Sequence, residues 1–215
     1  MFVASRTRPD ILYAVTFLSQ FNNRHSRKHV SSLLQTLQYV VNTQDYCIDL
    51  SFCKDEKLCL FSDASWATDL DECKSFGGYI IYLGGTVIGW GCKKQTTVAT
   101  SSMESEYIAL TYAVKEAYWI SNLFESCLLF DYVNVPTIHS DSISSIQFAT
   151  NDLENSKTKH IRIKYWFLRD WFEKGYFKLN KVPGQVNIAD IFTKFLSSEK
   201  ISELCKTVFN RLSRK

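Results

Sequence analysis

Four acidic residues stand where a strand end or a helix start would hold them against a ligand. Asp63 closes the apolar run "LCLFSDA" and Asp141 closes "VPTIHSD"; Glu106 lies near the start of the long stretch that begins "SSMESEYIAL", and Asp190 sits in "QVNIADIFTKFL". In layered α/β proteins ligand-facing residues gather at strand ends. If the strands of Asp63 and Asp141 are neighbours and the two helix starts face their ends, four carboxylates converge, and their repulsion is tolerable only with cations between them. Hard divalent cations with oxygen ligands, above all Mg²⁺, suit such a group. Two of them about 4 Å apart would clamp an in-line phosphoryl transfer. Each acid taken singly also has a plainer role. A strand-end Asp is commonly a turn former, Glu104 competes with Glu106, and Asp190 behind Asn187 would be a favourable charge near a helix N-terminus.

The chain around them suits a globular fold. Its 215 residues are 46% hydrophobic and 14% aromatic, enough for one sizeable core. A net charge of +3 excludes a histone-like surface, so any nucleic-acid contact must use a local basic patch. The seven cysteines form no Cys-x-x-Cys pair and have no paired His spacing of the zinc kind, which points to a reducing compartment and no structural metal. No stretch approaches the roughly 20 apolar residues of a membrane span, and no membrane partner is expected.

The hydrophobic period locates the elements that must position the acids. Ile11, Val15 and Leu18 in "TRPDILYAVTFLSQF" predict a helix capped by Thr7 with Pro9 in its first turn. Val30, Leu33, Leu34, Leu37 and Val41 form the stripe of a second helix. From Tyr46 the period changes to two, and "YCIDLSFC", "KLCLFSDA", "FGGYIIYLG" and "TVIGWGC" read as strands, the last two joined in a hairpin at Gly84 and Gly85. A helix then runs through Met103, Tyr107, Leu110, Val114, Ala117 and Phe124. After it come a strand ending on Asp141, a short helix in "SISSIQFATN", a basic aromatic helix closed by Gly175, a strand in "YFKLNKVPG" and a last helix carrying Asp190. This order predicts an α/β layer fold with helices against one mixed sheet.

The local sequences around the acids resemble the ribonuclease H domain at the end of the Pol polyprotein of copia-type LTR retrotransposons. "SDASWA", "KSFGGYIIYLGGTVIGWGCKKQTTVATSSMESEYIAL", "HSDSISSIQFATN", "KTKHIRIKYWFLRD" and "VPGQVNIADIFTK" occur in the family's order over most of residues 58–196. "TRPDILYAVTFLSQF" is similar to the segment that follows the polymerase domain. The resemblance implies a ribonuclease H-like fold with a five-stranded mixed sheet over residues 56–196. It would follow a small helical remnant of the reverse transcriptase thumb or connection (1–55) and precede a basic C-terminal tail (197–215).

Carried over residue by residue, the resemblance makes Asp63, Glu106, Asp141 and Asp190 the catalytic, metal-binding acids for two Mg²⁺ ions, with Mn²⁺ as a substitute, and leaves Glu104 as the outer neighbour. The implied reaction is hydrolysis of the RNA strand of an RNA:DNA hybrid. A hybrid is read through its backbone and 2′-hydroxyls, which calls for hydroxyls and cations near the acids: Ser65, Ser102 and Ser142, and Lys93, Lys157, Lys159 and His160. Reverse transcriptase or integrase parts of the same element would be partners, in the cytoplasm, a virus-like particle or the nucleus. The sequence departs from the family in "KHIRIKYWF", with Arg162 where an acid is common and Trp166 where a His is common. It has no Tyr-x-Asp-Asp stretch, so the polymerase site of these polyproteins is missing. A truncated remnant that only binds nucleic acid, or has no activity, is therefore the alternative. A DDE-type integrase, which has its Glu as the last acid, is disfavoured by the order Asp, Glu, Asp, Asp.

Overall fold

A computed structural model describes residues 1–52, 57–127, 134–151 and 162–211. Its helices are α1 (Phe2–Arg6), α2 (Leu12–Ser19), α3 (Arg27–Asn42), α4 (Ser102–Ser126), α5 (Ile143–Thr150), α6 (Arg162–Glu173) and α7 (Ser198–Cys205). Its strands are β1 (Tyr46–Cys47), β2 (Leu58–Asp69), β3 (Lys74–Leu83), β4 (Thr86–Lys94), β5 (Thr137–Ser140), β6 (Lys178–Lys181) and β7 (Asn210–Arg211). The main sheet is five-stranded and mixed, as expected, in the order β4-β3-β2-β5-β6. β4, β3 and β2 pair antiparallel in turn, and β5 and β6 continue from β2 in parallel. The Gly84 and Gly85 loop closes the β3–β4 hairpin with both residues at positive φ, the twist that suits a two-residue connection.

The alternation of β2 sorts its side chains onto two faces. Leu58 and Leu60 join Ile81, Ile138 and the buried stripe Tyr107, Leu110, Val114 and Ala117 of α4. Cys59 and Phe61 point to the opposite face, where Ile80, Tyr82 and Val87 meet Ile188, Phe192, Ala4, Ile11 and Leu12. Two consecutive glycines make both approaches possible. A Cβ on Gly77 would come within 3.1 Å of Ala109 in α4, and one on Gly78 would come within 2.3 Å of Phe192. In a strand, such glycines mark close backbone contact.

Several expectations need correction. Among the described residues of "YCIDLSFC", only Tyr46 and Cys47 form a strand, and it pairs with β7 outside the main sheet. The Asp49 side chain accepts from the Ser51 amide at 2.8 Å, a local turn that ends the strand and opens a short 3₁₀ segment, Leu50–Phe52. Thr7 does not start a helix. It ends α1, donating to the Val3 carbonyl, and the following 3₁₀ turn Pro9–Ile11 is set by the buried Arg8–Asp10 ion pair. "QVNIADIFTKFL" forms two 3₁₀ turns, Gly184–Val186 and Ile188–Phe192, rather than an α-helix. Residues 198–209 are no loose tail: Leu204, Cys205, Val208 and Phe209 are buried against the face that holds Ile188 and Phe192. The α3 stripe, by contrast, is exposed, from 42% at Val30 to 61% at Val41.

Candidate metal centre

β2 and β5 are neighbours in register, Ser62 opposite Ser140, so Asp63 and Asp141 stand side by side; Asp141 follows the last residue of β5, but Asp63 does not close its strand as expected, because β2 runs on to Asp69 and pairs Asp63 with Gly78 of β3. α4 starts at the same end. Its cap is Ser101, whose side chain accepts from the Glu104 amide at 3.2 Å. This start separates the two candidate glutamates. Glu104 turns back to accept from the Thr100 amide at 2.7 Å and from its hydroxyl at 2.8 Å, whereas Glu106 reaches Asp63 and Asp141. Carboxylate oxygens of Asp63, Glu106 and Asp141 lie within 4.8 Å of one another. Gly184 leaves the space for the third acid, since a Cβ there would stand 2.9 Å from Asp141 Oδ2.

Asp190 arrives from the 3₁₀ turn Ile188–Phe192. Asn187 pins this turn to the sheet: its Nδ2 donates to the Ser62 carbonyl at 3.0 Å while its Oδ1 accepts from the Ala189 amide. Thr193 makes the second tie. Its hydroxyl donates to Asp63 Oδ2, and its carbonyl accepts from Ser65 Oγ at 2.5 Å. Asp190 is 7% exposed, and its Oδ1 lies 2.8 Å from Lys194 Nζ.

The electrostatics are those of acids crowded out of water. Burial, then the negative charge of Asp190, pushes the Asp63 carboxyl up to about 7, against the opposing pull of Thr193 and Lys194. Burial and the charges of Asp63 and Asp141 raise Glu106 well above the carboxylate range. Burial alone would lower the Lys194 ammonium, but the contact with Asp190 and the fields of Asp63, Asp190 and Asp141 outweigh it and leave it raised. Glu106 Oε2 is buried with no hydrogen-bond partner. Three converging carboxylates with an orphaned buried oxygen, and no nitrogen or sulfur donor among them, fit a hard divalent cation.

The residues expected to meet substrate are spread differently. Ser102 is exposed in the first turn of α4, four residues before Glu106. Ser142 caps α5, accepting from the Ser145 amide, and Ser65 is engaged with Thr193. Lys93 lies on the edge strand β4, over the Tyr112 ring at 5.7 Å from its centroid; the register Asp63↔Gly78↔Cys92 puts that strand two away from Asp63. Lys157, Lys159 and His160 lie outside the described residues. Sequence reasoning passed over Thr193, Lys194, Gly78 and Gly184; it offered Asn187 as a cap ahead of Asp190, which it is, but not its bond to the Ser62 carbonyl. Only the tandem glycine inside a strand pattern offered a local signal of close packing.

The order and pairing of the five strands, with α4 across one face, define a ribonuclease H-like fold. A solved ribonuclease H1 isolated from compost by a metagenomic approach superimposes with a TM-score of 0.50 at 14% identity, covering 69% of this chain and 97% of that one. No protein-family model matches the chain. In sequence it is 37% identical over 191 residues, 89% of its length, to the retrovirus-related Pol polyprotein from transposon RE1 of Arabidopsis thaliana. It is 34% identical over 209 residues, 97% of its length, to that from transposon RE2 of the same plant. The chain belongs to the family of copia-type retrotransposon Pol polyproteins. It spans only 13% and 14% of those two relatives.

Proposed function

We propose that the chain is a ribonuclease H that hydrolyses the RNA strand of RNA:DNA hybrids with two Mg²⁺ ions, Mn²⁺ substituting. The observation that carries this reading is the approach of Asp63, Glu106 and Asp141 to within 4.8 Å of one another on a ribonuclease H-like sheet. These three would hold one ion, and Asp190 with Asp63 would hold the other. Bound there, the ions supply an activated water and offset charge at the scissile phosphate.

The protein's own part is orientation. Thr193 occupies Asp63 Oδ2, which fixes the carboxylate plane and leaves Oδ1 for the centre. Asn187 keeps the Asp190 turn against β2, and Gly184 keeps the space beside Asp141 open. The exposed Ser102 hydroxyl, one helical turn before Glu106, suits a 2′-hydroxyl or phosphate of the hybrid. Lys93 on β4, with Lys157, Lys159 and His160, would follow the phosphates farther along. As a relative of Pol polyproteins the chain would act beside reverse transcriptase and integrase parts of the same element.

The test is cleavage of an RNA:DNA hybrid labelled on the RNA, with Mg²⁺ and with EDTA, beside Asp63→Asn. Metal-dependent cutting of the RNA strand that disappears in the variant is expected. A folded chain that binds the hybrid to saturation without cutting would overturn the reading and leave a non-catalytic remnant.

A further inference from the structure

We propose that α3 is a pairing surface for a second copy of this chain, the two helices lying antiparallel about a two-fold axis between Leu34 and Leu37. The proposal stands apart from the ribonuclease reading.

Helix α3 carries two faces with apolar groups, and the fold uses one of them. The packed side is formed by His29, which stacks on Phe21 at 3.9 Å between ring centroids, and by Tyr39 and Val40, which meet the core opposite α4. Successive helical residues are about 100° apart, so Val30, Leu33, Leu34, Leu37 and Val41 face about a third of a turn away from that side. They are 42–61% exposed, and none of the 16 residues of α3 is buried. A helix of this length is marginal in water unless an apolar face is covered.

The spacing indicates what covers it. Val30, Leu34, Leu37 and Val41 recur at intervals of four, three and four residues, the alternation of a coiled-coil seam, whose natural partner is a helix with the same period. Under the two-fold axis Val30 meets Val41 of the partner subunit and Leu34 meets Leu37 of the partner subunit, a self-complementary contact. Charge sets the direction. Arg27 and Lys28 lie in the first turn of α3, where the helix dipole disfavours them, and the helix contains no acidic residue. Antiparallel pairing brings both beside the carbonyl end of the other helix and beside Asp45, which is held there by a turn in which the Tyr46 amide donates to the Thr43 carbonyl at 3.1 Å. A parallel pair would instead set these cations against their copies. Leu33 widens the contact, since it borders an apolar groove with Met1, Val15 and Leu18. The four seam positions span only about 16 Å, short of a standard interface of about 800 Å² per partner, so the pair should form at micromolar concentration.

Sedimentation equilibrium of the full chain in reducing buffer, from about 1 to about 200 µM, tests the proposal. A monomer–dimer equilibrium with a Kd on the order of 10 µM is expected. Leu34→Glu should leave only monomer over that range, whereas Gln35→Glu, on the outer polar face, should dimerise like the unmodified chain. Arg27→Glu with Lys28→Glu should weaken dimerisation at least about tenfold, and adding Asp45→Lys should bring it back to within about threefold of the unmodified chain. Circular dichroism and urea midpoints check the folding of each variant, and Leu34→Gln stands in should Leu34→Glu fail to fold. A chain that stays monomeric throughout, or a dimer that survives the Leu34 substitution, would overturn the proposal and leave the stripe to a different partner. A dimer lost with Leu34 but indifferent to the charge reversal would overturn the antiparallel arrangement.

Discussion

At the scale of single residues, the cluster is a set of charges that the fold holds together at a cost when no cation lies between them. Asp63 titrates near 7 in the folded chain, against about 3.9 when unfolded. Between those values the folded form keeps a proton that the unfolded form has lost. Stability of the metal-free protein should therefore fall as pH rises from about 4 to about 7 and level off above it. Glu106, also raised, acts in the same direction. Asp63→Asn removes the charge but keeps an oxygen for the Thr193 hydroxyl. At pH 8 without metal it should be more stable than the unmodified chain, on the order of 2 kcal/mol, with the difference vanishing near pH 4. Urea titrations at both pH values with EDTA check this, and a variant that is less stable at pH 8 would show that Asp63 stabilises the fold. Thr193 is the complementary case, because a hydrogen bond to a charged group is worth about 1.5–3 kcal/mol. Thr193→Val should weaken Mn²⁺ binding by about tenfold or more, and Thr193→Ser, which keeps the donor, should restore it.

At the scale of elements, the centre depends on how closely the 3₁₀ turn that carries Asp190 lies against β3. Gly78→Ala would drive a methyl group into Phe192, and relief of that overlap moves the turn that bears Asp190 and Thr193. The expected result is a loss of about 1–3 kcal/mol of stability together with a marked fall in cleavage per folded molecule. Gly85→Ala is the control. Nothing lies within 4 Å of its Cβ, but φ is +82°, so it should cost about 1 kcal/mol through backbone strain and leave cleavage per folded molecule unchanged. Equal cleavage by both variants would mean that the turn tolerates displacement. These elements were unequally legible in the sequence. β2, β5 and α4 follow from period-two and period-3.6 patterns, and the convergence of Asp63 with Asp141 follows from the pairing of their two strands, although Asp63 lies within β2 and not at its end. The Asp190 turn does not, because over five residues Ile188, Ile191 and Phe192 fit a 3₁₀ turn and an α-helix alike. What decides between them is the Asn187 bond to the Ser62 carbonyl, a contact across 125 residues that no local window contains.

For the whole molecule, the two ends of the chain cover the sheet face opposite α4. Ala4, Ile11 and Leu12 from the N-terminal helices and Leu204, Cys205, Val208 and Phe209 from α7 and its turn bury Ile80, Ile188 and Phe192 between them. Arg8 joins the ends: its guanidinium pairs with Asp10, donates to the Thr43 carbonyl and lies over the rings of Tyr39, Tyr46 and Phe209. The basic residues Lys200 and Lys206 make this stretch look like a tail, yet Ile201, Leu204, Cys205 and Val208 recur at helical spacing, and those positions decide where it packs. Its removal should therefore reach the metal centre through the turn that it supports. A chain ending at residue 197 loses four buried apolar side chains, on the order of 5 kcal/mol or more from a domain whose total stability is typically about 5–15 kcal/mol. Its urea midpoint should collapse, and any folded fraction should gain less thermal stability from Mg²⁺ than the full chain, because Ile188 and Phe192 then flank Asp190 from an uncovered face. A truncated chain with an unchanged midpoint and an unchanged response to Mg²⁺ would show that the C-terminal helix merely rests on a sheet already complete without it.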